Sequence, residues 1–469
     1  MYEFIILLDI LKDLDPKKSC GFDLISNRVL KETSFIIAPY LVKLFNICFD
    51  KAIFPQCFKT AKITPLFKGG DKHDPNSYRP ISLLPCLGKV FEKIISVRLI
   101  DFFDKHQLFS PCQFGFRKNY NTELAISDIY EKLLNNLDKR LTSCAIFLDL
   151  AKAFDTVNHQ ILLKKLYKYG VRGKALQLIE SYLNLRQQFV CINNKKSSAT
   201  IVDLGVPQGS ILGPLLFIIY INDLPNASNF FIKLYADDTF LCLQNQDTNI
   251  LQEEVNRELL KVYQWLKANH LTLNISKSKF MIITKKKVVR TTFRVAINES
   301  DLQQCDEYKY LGVYFDKDLN WKCHIEHVCK KISKSCGSLT KLRNCVDINI
   351  LRDVYHALIH SYLRYGIIVW GNAPQTSLRK VQSIINRAIR IMSFSPLGNV
   401  NIDPVFEILE ILKLDEIHTL EIAKFAYRRV NNLLPTEVAS YFHTRHSENT
   451  RQRRNRNAVN ETVSFTLNY

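Results

Sequence analysis

Two adjacent carboxylates, Asp237 and Asp238, interrupt an apolar run. Phe230-Phe231-Ile232-Lys233-Leu234-Tyr235-Ala236 precedes them and Thr239-Phe240-Leu241-Cys242-Leu243 follows. Two short stretches of β-type residues meeting at the acids read as a hairpin with the carboxylates at its turn. Side-by-side carboxylates disfavour double ionisation. A bound divalent cation removes that penalty, and Mg²⁺ suits carboxylates that share it with phosphate oxygens. A bare Asp-Asp pair is ordinarily a surface turn, so the reading depends on what accompanies it.

Upstream, the apolar strand Ala145-Ile146-Phe147-Leu148 runs into Asp149, and Leu150-Ala151-Lys152-Ala153-Phe154-Asp155 follows. An acid at the end of a buried strand is costly unless it is paired or binds metal. A helix N-cap is the other use for Asp at such a point. Between the two acid sites lies Gly205-Val206-Pro207-Gln208-Gly209-Ser210, with the Gly and Pro content of a loop. The apolar stretch from Ile211 to Leu224 is expected to be a helix with one strongly buried face. Backbone N–H groups at such a loop and helix start can face a phosphate or a template backbone.

Charge points to a polyanionic partner. The 469 residues carry 64 Lys and Arg against 45 Asp and Glu, a formal net charge of +19, with pI about 9.3. Such a surplus favours nucleic acid and predicts salt-sensitive binding. The basic runs are Thr284-Lys285-Lys286-Lys287 with Arg290, Lys330-Lys331, and Arg451, Arg453, Arg454 and Arg456. A basic membrane-surface protein competes on charge alone, but no amphipathic basic helix or lipidation signal supports it. No apolar run reaches the length of a membrane span. The N-terminal ten residues, broken by Glu3 and Asp9, lack the form of a signal peptide. The expectation is an intracellular protein, nuclear or cytoplasmic. Its 13 cysteines, with no Cys-x-x-Cys pair, read as small buried hydrophobes. Cys323-His324-Ile325-Glu326-His327-Val328-Cys329 is read as helix, which would spread its side chains rather than gather them on zinc.

Seven segments, in order, resemble the reverse transcriptases of non-LTR (LINE-like) retrotransposons of the jockey-like kind. Ser77-Tyr78-Arg79-Pro80-Ile81-Ser82-Leu83-Leu84 resembles the first fingers motif, and Gln113-Phe114-Gly115-Phe116-Arg117 with Asn121-Thr122 the second. Leu148 to Val157 resembles palm motif A, Gly205 to Ser210 through Asn222-Asp223-Leu224 motif B, and Tyr235-Ala236-Asp237-Asp238 motif C. Trp265-Leu266 and Leu271 to Lys279, with Asn274 and Lys277, resemble motif D; Tyr310-Leu311-Gly312-Val313 resembles motif E. RNA-dependent RNA polymerases typically carry Gly-Asp-Asp at the hairpin and lack the aromatic gate, whereas Ala236 and Phe154 stand here. Group II intron maturases share the core but differ in wording and rank second.

The resemblance implies RNA-directed DNA polymerisation by two-metal phosphoryl transfer. Its partners are an RNA template, a DNA primer and deoxynucleoside triphosphates; its cofactor is two Mg²⁺ ions, with Mn²⁺ as a substitute. Asp149 and Asp237 would be the main shared ligands, with Asp238 completing the cluster and the Leu150 carbonyl as a further contact. Phe154 would sit under the incoming sugar and clash with a 2′ hydroxyl; ordinary core is its other reading. Gln208, beside Gly209, would contact the incoming nucleotide or templating base. Arg79 would pair with triphosphate oxygens. Lys277 would protonate the leaving pyrophosphate, or be a solvated lysine.

The expected fold is α+β, a right-hand polymerase with fingers, palm and helical thumb plus a helical C-terminal region. Residues 1–60 are read as a helical extension to the fingers, 61–316 as fingers and palm, 317–400 as thumb, and 401–469 as a helical piece, Phe406 to Val430, with a basic tail. Ile325, Val328, Ile332 and Leu339 recur at helical spacing, as do Leu351, Val354, Tyr355 and Leu358. Nothing in the first 60 residues resembles the N-terminal endonuclease usual in such elements, so a copy lacking that domain is expected. Two readings remain: an active polymerase, or a truncated, catalytically inactive remnant that at most binds RNA.

Overall fold

The computed structural model describes residues 2–193, 195–285, 293–298, 300–394, 401–435 and 438, without the side chains of 2 and 3. Lys286, Lys287, Arg290 and the Arg451–Arg456 cluster lie outside the described residues. Helices and strands are mixed without regular βα alternation, which is the α+β class. The chain divides into two units. One comprises Met1–Phe116, Leu148–Thr239 and Arg257–Lys277; the other comprises Arg117–Phe147, Phe240–Asn256 and Ser278–Tyr469.

In the first unit, the helices Ser34–Lys51 and Cys86–Lys105 meet through aromatic rings. Phe45 stacks on Phe91 with centroids 4.6 Å apart, and Phe54 stacks on Phe91 at 5.4 Å. Each such pair adds about 0.5–1.5 kcal/mol beyond its buried area. The strand Thr60–Phe67 lies between Tyr78–Leu83, antiparallel, and Arg186–Ile192, parallel. Pro80 has no N–H to donate, and it sits on the edge strand of that sheet. The register sets Arg79 opposite Leu66.

The expected helix after the Gly-Pro loop spans Leu212–Tyr220, but it is buried all round except at Pro214, not on one face. It has no polar side chain before Tyr220, whose hydroxyl donates to the Asn269 carbonyl. Nothing in it needs water.

The second unit contains all but the last residue of the strand Thr142–Leu148, which is buried along its whole length. Lys279–Ile283 pairs with it antiparallel, Ala145 opposite Met281, and Asp238–Asn245 flanks its other side. Phe147 stacks on Tyr308 at 4.3 Å. The hairpin of Glu307–Tyr310 and Val313–Asp316 turns at Leu311 (φ 44°) and Gly312 (φ 87°), the two positive angles of a tight hairpin turn.

Helix Lys322–Leu342 buries Ile325, Val328, Ile332 and Leu339, as their spacing predicts. The next spacing holds only in part. Leu351 and Tyr355 are buried and Val354 half-buried, but Leu358 is exposed and Ile359 takes its place. The reason is a π turn at His356–His360, whose extra residue rotates the buried face by one position. The helix expected from Phe406 to Val430 is instead two, Asp403–Ile408 and Leu414–Val430. Glu410, at φ 53°, ends the first, and the Ile411 N–H bonds back to the Phe406 carbonyl at 2.9 Å.

The cysteines are only partly the buried hydrophobes expected. Cys48, Cys86, Cys144, Cys242 and Cys336 are buried, Cys57 and Cys345 are exposed, and all 13 are free thiols. Cys57 lies on the outer side of a short 3₁₀ turn that buries its neighbour Phe58, and Cys345 lies beyond the end of helix Lys322–Leu342. No helix among the described residues is long and apolar enough to cross a membrane.

Candidate active site

The strand Phe231–Tyr235 leads through Ala236 and Asp237 into Asp238, the first residue of Asp238–Asn245. The hairpin therefore forms where the sequence placed it. Asp237 is half-buried and Asp238 exposed. Ala236 turns the chain at φ 55°, a left-handed angle that an alanine adopts only when its surroundings impose it.

Those surroundings are the Gln113-Phe114-Gly115 segment. The Phe114 N–H donates to the Leu234 carbonyl at 2.8 Å, and the Leu234 N–H to the Cys112 carbonyl at 2.9 Å. The buried Gln113 side chain accepts through Oε1 from the Gly115 N–H at 2.7 Å and the Ala236 N–H at 3.2 Å. A Cβ on Gly115 would stand 2.4 Å from the Ala236 nitrogen, so only glycine admits this approach.

Asp149 follows directly on the central strand and starts no helix; turns run from Ala151 to Asp155 before helix His159–Lys168. The N-cap reading is thereby set aside. The Asp149 carbonyl accepts from the Asn274 N–H at 2.8 Å, and the Ala151 N–H donates to the Thr272 carbonyl at 2.8 Å. Leu150 lies opposite Leu273 between these bonds, and neither uses its carbonyl. Leu150 itself is buried. This pairing brings Lys277 to Asp149, with Nζ 3.9 Å from Oδ2; the two side chains are 66% and 32% exposed. An ion pair so open contributes at most a few tenths of a kcal/mol to about 1 kcal/mol.

The charge of Asp149 acts on both Asp237 and Asp238, and that of Asp237 on Asp238. Although Asp238 is open to solvent on one side, desolvation of its carboxyl by the surrounding turn, then the charges of Asp237 and Asp149, push it up to about 6. Asp237 is raised by burial and by Asp149, while Arg79 opposes the rise. No group of three or more His, Cys, Asp or Glu among the described residues stands in metal-holding geometry. The structure thus records a coupled acid cluster rather than a formed cation cage.

The Gly205–Ser210 loop hangs on backbone bonds. The Gly205 N–H donates to Val157 and the Val206 N–H to Phe154, both at 2.8 Å, and the Gln208 carbonyl accepts from the Ser82 N–H at 2.7 Å. Gly209, at φ 127°, lies so close that a Cβ would meet the Ser82 carbonyl oxygen at 2.6 Å. Gln208 Nε2 donates to both oxygens of Asp155, at 2.8 and 3.0 Å. Phe154 is half-buried, stacks on Phe217 at 4.4 Å, and meets the edge of the Phe116 ring at 6.3 Å. Arg79 is exposed, and its charge reaches Asp237. The buried Glu92 accepts from the Ile211 and Leu212 N–H groups at 2.7 and 3.1 Å, satisfying donors at the start of the next helix.

Residues 70–315 match the family model described as reverse transcriptase (RNA-dependent DNA polymerase). The chain belongs to the reverse transcriptase family. Among curated relatives it is 30% identical over 408 residues to a probable RNA-directed DNA polymerase from transposon BS of Drosophila melanogaster, covering 83% of this chain and 44% of the relative. It is 32% identical over 402 residues to the RNA-directed DNA polymerase from mobile element jockey of Drosophila funebris, covering 83% and 43%. A probable RNA-directed DNA polymerase from transposon X-element of Drosophila melanogaster is 29% identical over 385 residues, covering 80% and 42%. These are non-LTR retrotransposon polymerases, as the motif wording implied. The chain spans less than half the length of the relatives it matches.

Within this reverse transcriptase, the residues that sequence reading left without a role are supports. Gln113, one residue of the second fingers segment, holds the acid turn. Asp155, to which the motif A segment assigns no task, grips Gln208. Lys68 and Lys152 act on Asp155 by charge. Glu92 gave no signal beyond an acid in an amphipathic helix.

Proposed function

We propose that the chain is an RNA-directed DNA polymerase of a non-LTR retrotransposon, extending a DNA 3′ hydroxyl on an RNA template with deoxynucleoside triphosphates. The observation that carries this reading is geometric: the strand that ends beside Asp149 and the strand that begins at Asp238, after Asp237, are neighbours in one sheet, and the Lys277 Nζ stands 3.9 Å from Asp149. The first unit also contains the Gln208 loop and Phe154.

Asp149, Asp237 and Asp238, with the Leu150 carbonyl, would hold two Mg²⁺ ions, or Mn²⁺ in their place. The donor set fits on chemical grounds. All are oxygen ligands, and their mutual repulsion is what a cation relieves. Bound there, the ions would neutralise charge on the attacking and leaving oxygens of phosphoryl transfer. Arg79 presents a planar fork to triphosphate oxygens. Phe154, fixed by Phe217, stands as a ring against which a 2′ hydroxyl would clash. Gln208 meets the nucleotide, and Gly209 lets its loop run against Ser82. Lys277 is a proton donor for the leaving pyrophosphate.

The fingers and palm are read as 61–316, the thumb as 317–400, with a helical extension before them and a helical C-terminal region after. The test is primer extension on an RNA template with Mg²⁺ and deoxynucleotides. Extension that vanishes in Asp237→Asn/Asp238→Asn supports the reading. A folded, RNA-binding wild type that extends nothing overturns it in favour of an inactive remnant.

A further inference from the structure

We propose that Asp155 is a positioning residue that fixes the Gln208 amide, so that Gln208 meets the nucleotide through its carbonyl oxygen. The proposal rests on the polymerase reading above.

A glutamine amide has a donor end and an acceptor end, and left alone it can present either. Here both contacts run from Nε2, to Asp155 Oδ1 at 2.8 Å and Oδ2 at 3.0 Å. An ionised carboxylate only accepts, so it selects the NH₂ end and leaves Oε1 for another partner. A hydrogen bond to a charged group is also the stronger kind. Burial raises the Asp155 carboxyl, but Gln208, Lys152 and Lys68 each oppose that rise and favour the ionised form.

The two backbones are held independently of this grip. The Asp155 N–H donates to the Lys152 carbonyl at 2.8 Å, and the Gln208 carbonyl accepts from the Ser82 N–H. Gly205 packs against the Asp155 backbone so closely that a Cβ would meet its carbonyl oxygen at 2.6 Å. Changing the Asp155 side chain therefore releases the amide without redirecting the loop. The donor that Oε1 would take is a hydroxyl or amino group of the nucleotide.

The test is a double-mutant cycle on nucleotide KM and kcat, with Asp155→Ala, Gln208→Ala and the pair together, and with melting temperature and primer–template affinity as controls. The expected result for Asp155→Ala is a nucleotide KM raised roughly ten-fold, with kcat and primer–template affinity nearly unchanged. The double variant is no worse than Gln208→Ala alone. Additive effects, or a KM that stays at the wild-type value, overturn the proposal.

A second measurement needs no polymerisation. In protein with ¹⁵N-labelled glutamine side chains, the Gln208 NH₂ signal is assigned by its loss in Gln208→Ala. It is expected to shift in Asp155→Asn, and an unmoved signal overturns the grip. A wild type that extends no primer removes the nucleotide from the proposal together with the functional reading, and the glutamine signal then judges the grip alone.

Discussion

Gln113 Oε1 accepts the Ala236 N–H at 3.2 Å, so a side chain 123 residues away holds the turn that carries Asp237. The same oxygen takes the Gly115 N–H at 2.7 Å. One buried amide thus binds the segment beneath the turn and the turn itself. Gln113→Ala leaves two backbone donors without this acceptor, a cost of about 1–3 kcal/mol for each that water cannot reach. The expected outcome is a lower urea midpoint and loss of most extension activity.

Gly115→Ala acts at the same place by another route. The new Cβ would meet the Ala236 nitrogen at 2.4 Å, and that atom is backbone, which cannot swing aside. Overpacking of this kind costs about 1–3 kcal/mol. Displacement of Asp237 is expected to depress kcat far more than primer–template affinity. Single-turnover kinetics beside a binding titration would check the difference.

Asp238→Asn is expected to raise the melting temperature of metal-free protein while abolishing extension. Asp238 is pushed up to about 6, in part by the charges of Asp237 and Asp149. Removing one charge relieves that repulsion. In the wild type Mg²⁺ should stabilise the fold, and chelation should reverse the effect. Melting curves with and without Mg²⁺ test both, and a variant less stable than metal-free wild type would contradict the charge argument.

Phe154→Val removes the ring and leaves a smaller, β-branched side chain. It forfeits the stack on Phe217, worth about 0.5–1.5 kcal/mol. Discrimination between deoxy- and ribonucleotides is expected to fall roughly ten- to a hundred-fold. The ratio of kcat/KM for the two nucleotide types measures it, and an unchanged ratio would return Phe154 to the role of ordinary core.

His324 supplies a pH dependence in the second unit. It lies edge-on to Trp321 and Trp370 and is buried. Burial, and then the charge of His327, push it down to about 4 from an ordinary 6.5. Between those values the unfolded chain binds the proton and the folded chain does not. This contribution to stability is therefore complete above about pH 6.5 and is lost as pH falls toward 4. Urea midpoints measured across that range should fall with pH in the wild type. In His324→Gln the decline should be shallower.

What was legible in the sequence follows from range. The acid hairpin at Asp237-Asp238 and the helix face of Ile325, Val328, Ile332 and Leu339 are local patterns, and local periodicity reveals them. Leu358 was misplaced because a π turn adds a residue without any distinctive composition. The break at Glu410 was missed because a left-handed residue that is not glycine or asparagine leaves no mark. Among site residues, Asp149, Asp237 and Asp238 announced themselves as costly charges in apolar company. Asp155, Gln113 and Glu92 did not, because each is defined by a partner 53 to 123 residues away.

The loop from Gly205 to Ser210 is suspended from main-chain atoms of Phe154, Val157 and Ser82. A Cβ has no room at Gly205 and Gly209, and the buried Ser210 hydroxyl braces the loop's end by donating to the Pro207 carbonyl and accepting from the Gly213 N–H. Substitution along this stretch should divide sharply into two kinds. Exchanges at the glycines destroy the protein's working shape. Exchanges at Gln208 are expected to leave the loop's course intact, because its main chain is held by Ser82 and only the side-chain grip on Asp155 is lost.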